Sequence, residues 1–112
     1  MERSPIHFIQ DILQAMNNIE EYIGNASFED FKKNRMAVDA VIRNLEVIGE
    51  ASKNIPEEIR NKYSQVPWKK MIGLRNLVSH EYFGIDYENI WEIVKKNIPS
   101  TKTDIEEMLK HQ

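Results

Sequence analysis

The stretch PIHFIQDILQAMNNIEEYIG, residues 5–24, decides the fold class. Ile9, Ile12, Leu13, Met16, Ile19 and Ile23 recur at steps of three and four, which at about 100° per residue lays them in one stripe along a helix. Ser4 and Pro5 start it as a cap followed by a proline in the first turn, where the missing N–H removes a donor that no helical bond would use. Gly24-Asn25 stops it. A stripe of this length cannot face water, so other segments of the chain must cover it.

Working outward, Ser27 with Asp30 three residues on forms an approximate capping box. A helix follows with a break near Asn34. Its clear part covers residues 36–54, where Val38, Val41, Ile42, Leu45 and Ile48 point one way. The opposite face carries Asp39, Arg43, Glu46, Glu50 and Lys53, a charged stripe whose ordinary role is a solvated, ion-paired surface. Ile55-Pro56 opens a short helical turn to about Tyr63, and Val66-Pro67 opens a helix over residues 68–83. Gly84 can end that helix through a left-handed cap, and Asp86 or its neighbour restarts the chain. Ile90, Trp91, Ile93, Val94 and Ile98 mark the next helix up to Pro99, and residues 103–110 form a last amphipathic segment. The reading is all-α: one domain over residues 1–112, an up-and-down bundle of four to five helices whose short connections favour antiparallel neighbours.

Composition agrees with that class. Hydrophobic residues make up 41% of the 112 and charged residues 29%, enough for a core and too apolar for a disordered chain. Four Gly and four Pro are too few for the frequent turns of an all-β plan. With 15 Lys and Arg against 18 Asp and Glu, the net charge of −3 excludes a bulk basic coat for nucleic acid, so any phosphate contact must come from a local patch. The absence of Cys excludes disulfides, thiolate catalysis and cysteine-based zinc sites. No apolar run approaches the roughly 20 residues that span a bilayer, which predicts no membrane association and a cytoplasmic protein. His7 and His111 stand alone near the termini, so the sequence predicts no metal site and requires no cofactor.

The helix over residues 68–83 carries the chemistry. Setting Trp68 at zero and advancing about 100° per residue puts Met71, Leu74, Leu77 and Val78 in an apolar wedge, which must face the core. Arg75, Ser79, Asn76 and His80 spread across the other half, together with Ile72, Tyr82, Phe83 and Trp68. His gives and takes a proton near neutral pH, and Arg grips a phosphate through its planar fork. RNA brings its own nucleophile, the 2′-hydroxyl. One His and one Arg are few for phosphodiester cleavage, but a twofold dimer would bring a second pair to the same cleft, one His as base and the other as acid. The ordinary reading of such a pair, from spacing alone, is a surface or interface contact, and Trp68, Tyr82 and Phe83 read more readily as packing residues than as base-stacking platforms.

The run Arg75-Asn76-Leu77-Val78-Ser79-His80-Glu81-Tyr82, followed by Ile85-Asp86, resembles the signature of the HepT-like toxins of the HEPN superfamily: Arg, four residues, His, one residue, Tyr. Ile48-Gly49-Glu50-Ala51 is similar to that family's Gly-Glu-Ala segment, and Val66-Pro67-Trp68 and Trp91 extend the likeness over nearly the whole chain. The resemblance implies a HEPN-like helical fold and a metal-independent endoribonuclease in which Arg75 and His80 are catalytic. Asn76, with Ser79 beside it, would shape the site. It implies a homodimer with a shared cleft, an RNA substrate, and a small nucleotidyltransferase antitoxin that silences the toxin by attaching AMP to Tyr82. Lys69 and Lys70 are the nearest basic cluster and the candidates for guiding an RNA phosphate. The rival expectation is a non-catalytic helical module that docks the nucleotidyltransferase and is modified by it.

Overall fold

A computed structural model describes residues 3–79 and 84–111. The described residues are helical without strands: α1 (Pro5–Ile23), α2 (Phe28–Lys33), α3 (Arg35–Lys53), α4 (Glu57–Lys62), α5 (Trp68–Gly73), α6 (Arg75–Ser79), α7 (Tyr87–Glu92) and α8 (Ile98–Lys110), with a π-helical turn over Ile93–Asn97 joining the last two. This is the all-α bundle that the periodicity predicts, and it is consistent with the HEPN-like fold that the resemblance implies. Among the described residues no helix is long and apolar enough to cross a membrane.

The stripe of α1 lies at the centre. Ile9, Ile12, Met16 and Ile19 are buried against Val38, Val41, Leu45 and Ile48 of α3 and Ile105 and Met108 of α8. The two long helices α1 and α3 run antiparallel: Asn18 Nδ2 donates to Asn44 Oδ1 at 3.2 Å, while Phe8 near the start of α1 shares a cleft with Ala51 near the end of α3. Lys102 on α8 reaches Glu20 on α1 at 2.6 Å, so α8 is tied to the other end of α1.

Local chemistry sets most boundaries. Gly24 ends α1 at φ 50°, a backbone conformation that a side chain would strain. Ser27 and Asp30 form the capping box in both directions, 3.1 Å from Asp30 N to Ser27 Oγ and 3.4 Å from Ser27 N to Asp30 Oδ2. Asn34 breaks the chain between α2 and α3 and caps α3 by accepting from Ala37 N at 3.1 Å. Asp86 caps α7 by accepting from Asn89 N. Ser4 differs from its expected role: its side chain makes no cap bond and instead meets His7 Nδ1 at 3.2 Å.

The expected stop at Pro99 is absent, and the chain stays helical through it to Lys110. The π turn supplies the reason. Ile98 N–H bonds to the Ile93 carbonyl, five residues back, and this wider turn carries the helix past a proline that has no N–H to donate and whose ring would crowd a carbonyl four residues back. Residues 103–110 are therefore the end of one bent rod and not a separate helix.

Ser52 is fully buried in α3, and its hydroxyl has no hydrogen-bond partner among the described residues. A buried unpaired hydroxyl costs stability, and Ala is the better helix former, so Ser52→Ala is expected to stabilise the fold by about 1 kcal/mol. Thermal denaturation checks this; a lowered Tm would reveal a partner for the hydroxyl.

Candidate functional site

The segment from Val66 to Ser79 is anchored from its first turn. Val66 and Trp68 are buried, and the Trp68 indole Nε1 donates to the Tyr63 carbonyl at 3.1 Å. This corrects the helical wheel, which puts Trp68 on the polar half. A polar tip satisfied by a backbone carbonyl lets the ring enter the core.

The helix expected over residues 68–83 is not continuous. It is jointed at Leu74, between α5 and α6. Leu74 N bonds to the Met71 carbonyl and Leu77 N to the Leu74 carbonyl, both at 3.1 Å and both three residues back. Such tight turns advance about 120° per residue instead of 100°, so positions after Leu74 are rotated away from the ideal wheel. The apolar wedge holds at Met71, which is buried, and at Leu74 and Leu77, which pack on the core, while the side chain of Val78 lies outside what the structure describes.

Gly49 of α3 lies against this joint. A Cβ added there would meet Arg75 N at 2.8 Å, Arg75 Cβ at 3.2 Å and the Met71 carbonyl at 3.2 Å. Only a residue without a side chain lets the two backbones approach this closely. One position on, Glu50 Oε2 stands 3.1 Å from Arg75 Nε, an ion pair in which both side chains are about half exposed. The charged stripe of α3 is thus divided among partners. Asp39 pairs with Arg35 at 3.0 Å, Arg43 with Glu46 at 3.4 Å, and Glu50 crosses to α6.

Arg75, Glu50, Glu46 and Arg43 border a cleft of about 410 Å³, closed on its far side by Arg3, Phe8 and Asp11. Arg3 pairs with Asp11 at 2.6 Å and lies over the Phe8 ring, 5.1 Å from its centroid. That hydrogen bond to Asp11 raises the Arg3 pKa further above its ordinary value. Three arginines face three carboxylates here, so the cleft is neutral overall. An anionic ligand would find three guanidinium groups within one pocket.

Of the residues singled out by sequence, Arg75 lines this cleft and Asn76 is exposed next to it. Ser79 ends α6. His80, Tyr82 and Phe83 lie outside the described residues. Lys69 is exposed, and Lys70 borders a second groove of about 470 Å³ with Leu74, Leu77, Ile93 and Ile98. Neither lysine lines the Arg75 cleft. His7 and His111 are engaged locally, His111 with Glu107 at 3.0 Å. Sequence reading missed Glu50 as a partner of Arg75, and missed Arg3, Phe8 and Asp11. The Gly-Glu-Ala segment was a signal for the first; the other three carry no periodic or motif signal.

Residues 12–108 match the family model described as "Ribonuclease HepT-like". Three similar proteins illustrate its range. A protein of Methanocaldococcus jannaschii named "Putative RNase MJ0127" is 50% identical over 103 residues, covering 92% of this chain and 85% of that protein. One of Caldanaerobacter subterraneus named "Putative RNase TTE0752" is 42% identical over 110 residues and 98% of both chains. One of Thermococcus cleftensis named "Probable ribonuclease HepT" is 42% identical over 110 residues, 98% of this chain and 100% of its own length. No solved structure gives a significant match.

Proposed function

The chain belongs to the ribonuclease HepT-like family, and from that premise we propose that it is the metal-independent endoribonuclease toxin of a toxin–antitoxin pair, a single-domain cytoplasmic protein acting as a homodimer. The observation that carries the reading is the family match across residues 12–108, which contains the whole run from Arg75 to Tyr82. The exposed Arg75 in a cleft rich in guanidinium groups supports it.

In this proposal one His80 takes the proton of the RNA 2′-hydroxyl, and the oxygen so released attacks the adjacent phosphorus. The P–O5′ bond breaks as the second protomer's His80 protonates the departing oxygen, leaving a 2′,3′-cyclic phosphate and a 5′-hydroxyl. Arg75 neutralises the charge that builds on the non-bridging oxygens. The nucleophile is internal and the counter-charge is a guanidinium, so the step requires no metal. Asn76 and Ser79 shape the pocket, and Lys69 and Lys70 guide the flanking backbone.

Silencing is assigned to a nucleotidyltransferase antitoxin. The Tyr82 phenolic oxygen attacks the α-phosphorus of ATP, pyrophosphate leaves, and the attached AMP sets an anionic group close in sequence to Arg75 and fills space that an RNA phosphate needs.

Incubation of the purified protein with total RNA in EDTA tests the reading. Internal cuts ending in a cyclic phosphate are expected, and they should disappear after AMP transfer but persist after the same treatment of Tyr82→Phe. Intact RNA at high enzyme concentration, with AMP transfer still occurring, would leave only the docking module.

A further inference from the structure

We infer that Glu50 is a positioning residue for Arg75, holding its guanidinium at the mouth of the cleft in the orientation that meets the scissile phosphate; the inference rests on the ribonuclease reading above. Two consecutive residues of α3 act on one residue of α6. Gly49 sets the Arg75 backbone, because the helices touch where its side chain would be. Glu50 sets the far end, with Oε2 3.1 Å from Nε. Glu50 itself is seated in the last turn of α3, where Asn54 Nδ2 donates to its carbonyl oxygen at 2.8 Å.

The atom engaged is informative. A carboxylate at Nε takes one edge of the guanidinium, and the terminal Nη pair is the fork that fits two phosphate oxygens, so one arginine can serve both groups at once. Lysine, with a single point charge, could not divide itself in this way. An arginine side chain has many rotamers, and one held near its working position need not be ordered during the reaction. An ion pair half exposed at both ends adds little to folding, so the effect of Glu50 falls on the reaction and not on stability. The other two pairs of the cleft differ. Arg43–Glu46 lies within α3 and Arg3–Asp11 at the start of α1, so neither reaches the motif helix.

The test compares wild type, Glu50→Gln, Glu50→Asp, Asp39→Asn, Arg75→Ala and the double variant Glu50→Gln/Arg75→Ala, measuring kcat and KM on an oligoribonucleotide together with Tm. Glu50→Gln is expected to lower kcat by about 10- to 100-fold, with KM within about twofold and Tm unmoved. Glu50→Asp should regain part of the loss, Asp39→Asn, which breaks an ion pair of α3 outside the cleft, should match wild type, and the double variant should be no slower than Arg75→Ala alone. Unchanged kcat in Glu50→Gln, losses that multiply in the double variant, or tighter RNA binding with undiminished kcat would each overturn the inference, the last by making Glu50 a competitor for Arg75. A second readout is the NMR signal of the Arg75 Nε–H, identified by its loss in Arg75→Lys. It should move in Glu50→Gln and stay in Asp39→Asn. If wild type cleaves no RNA the ribonuclease reading fails, yet this signal still decides whether Glu50 positions Arg75: a signal that does not move overturns it.

Discussion

Arg75→Ala is expected to lower RNA cleavage by about 10²- to 10³-fold, the usual effect of removing one group that stabilises charge on a reacting oxyanion. His80→Ala should cost about 10²- to 10⁴-fold, as the loss of a general acid or base does. The Arg75 variant should fold normally. Its side chain is half exposed, and the pair that it forms with Glu50 is worth at most about 1 kcal/mol. Arg75→Lys should remain well below wild type, because an ammonium keeps the charge but loses the planar fork. Single-turnover cleavage of a labelled RNA, with circular dichroism to verify folding, checks all three. Wild-type cleavage by folded Arg75→Ala would remove this residue from the mechanism, whatever nuclease activity the preparation holds.

Gly49→Ala is expected to damage both stability and activity. Its new methyl group would stand 2.8 Å from a backbone nitrogen, and 3.2 Å from a backbone carbonyl oxygen, so no side chain can rotate away to make room. Either α3 or the Leu74 joint must shift. Overpacking of this kind costs about 1–3 kcal/mol, only partly offset by the gain of about 0.5–1 kcal/mol when a helical Gly becomes Ala. A net loss of 1 kcal/mol in a chain of this length lowers Tm by roughly 4–8 °C. Moving Arg75 by even about 1 Å should also cut cleavage by about 10²-fold. Gly73→Ala is the control: nothing lies within 4 Å of a Cβ built there, so the same substitution in the neighbouring helix should be neutral or slightly stabilising. Equal Tm values for the two variants would show that the α3–α6 contact yields without cost.

The two substitutions separate the parts of the site that were legible in the sequence from those that were not. Arg75 stands out by residue type and by its place in a motif. Gly49 belongs to the Gly-Glu-Ala segment, but its role there is not legible, because a glycine inside a helix has many explanations until the opposing backbone is seen. Glu50 belonged to a stripe of alternating charge, and a stripe states only that a face is polar. Which cation each carboxylate meets depends on where a different helix crosses, and no local pattern encodes that.

The same division holds for the fold. The sequence by itself determined that α1 and α3 are helices and which faces they bury, because three- and four-residue spacing over 19 residues is a local, redundant signal. It also determined the capping box at Ser27 and marked a break near Asn34 and a restart near Asp86, while the amide that each of the last two side chains caps came from the structure. The tertiary structure alone decided that the chain bends at Leu74, that Trp68 turns inward to the Tyr63 carbonyl, that a π turn carries the last rod through Pro99, and that Glu50 meets Arg75. Each of these is a contest between a local preference worth about 1 kcal/mol and the packing of whole helices against a shared core, and burial summed over many side chains exceeds any single preference.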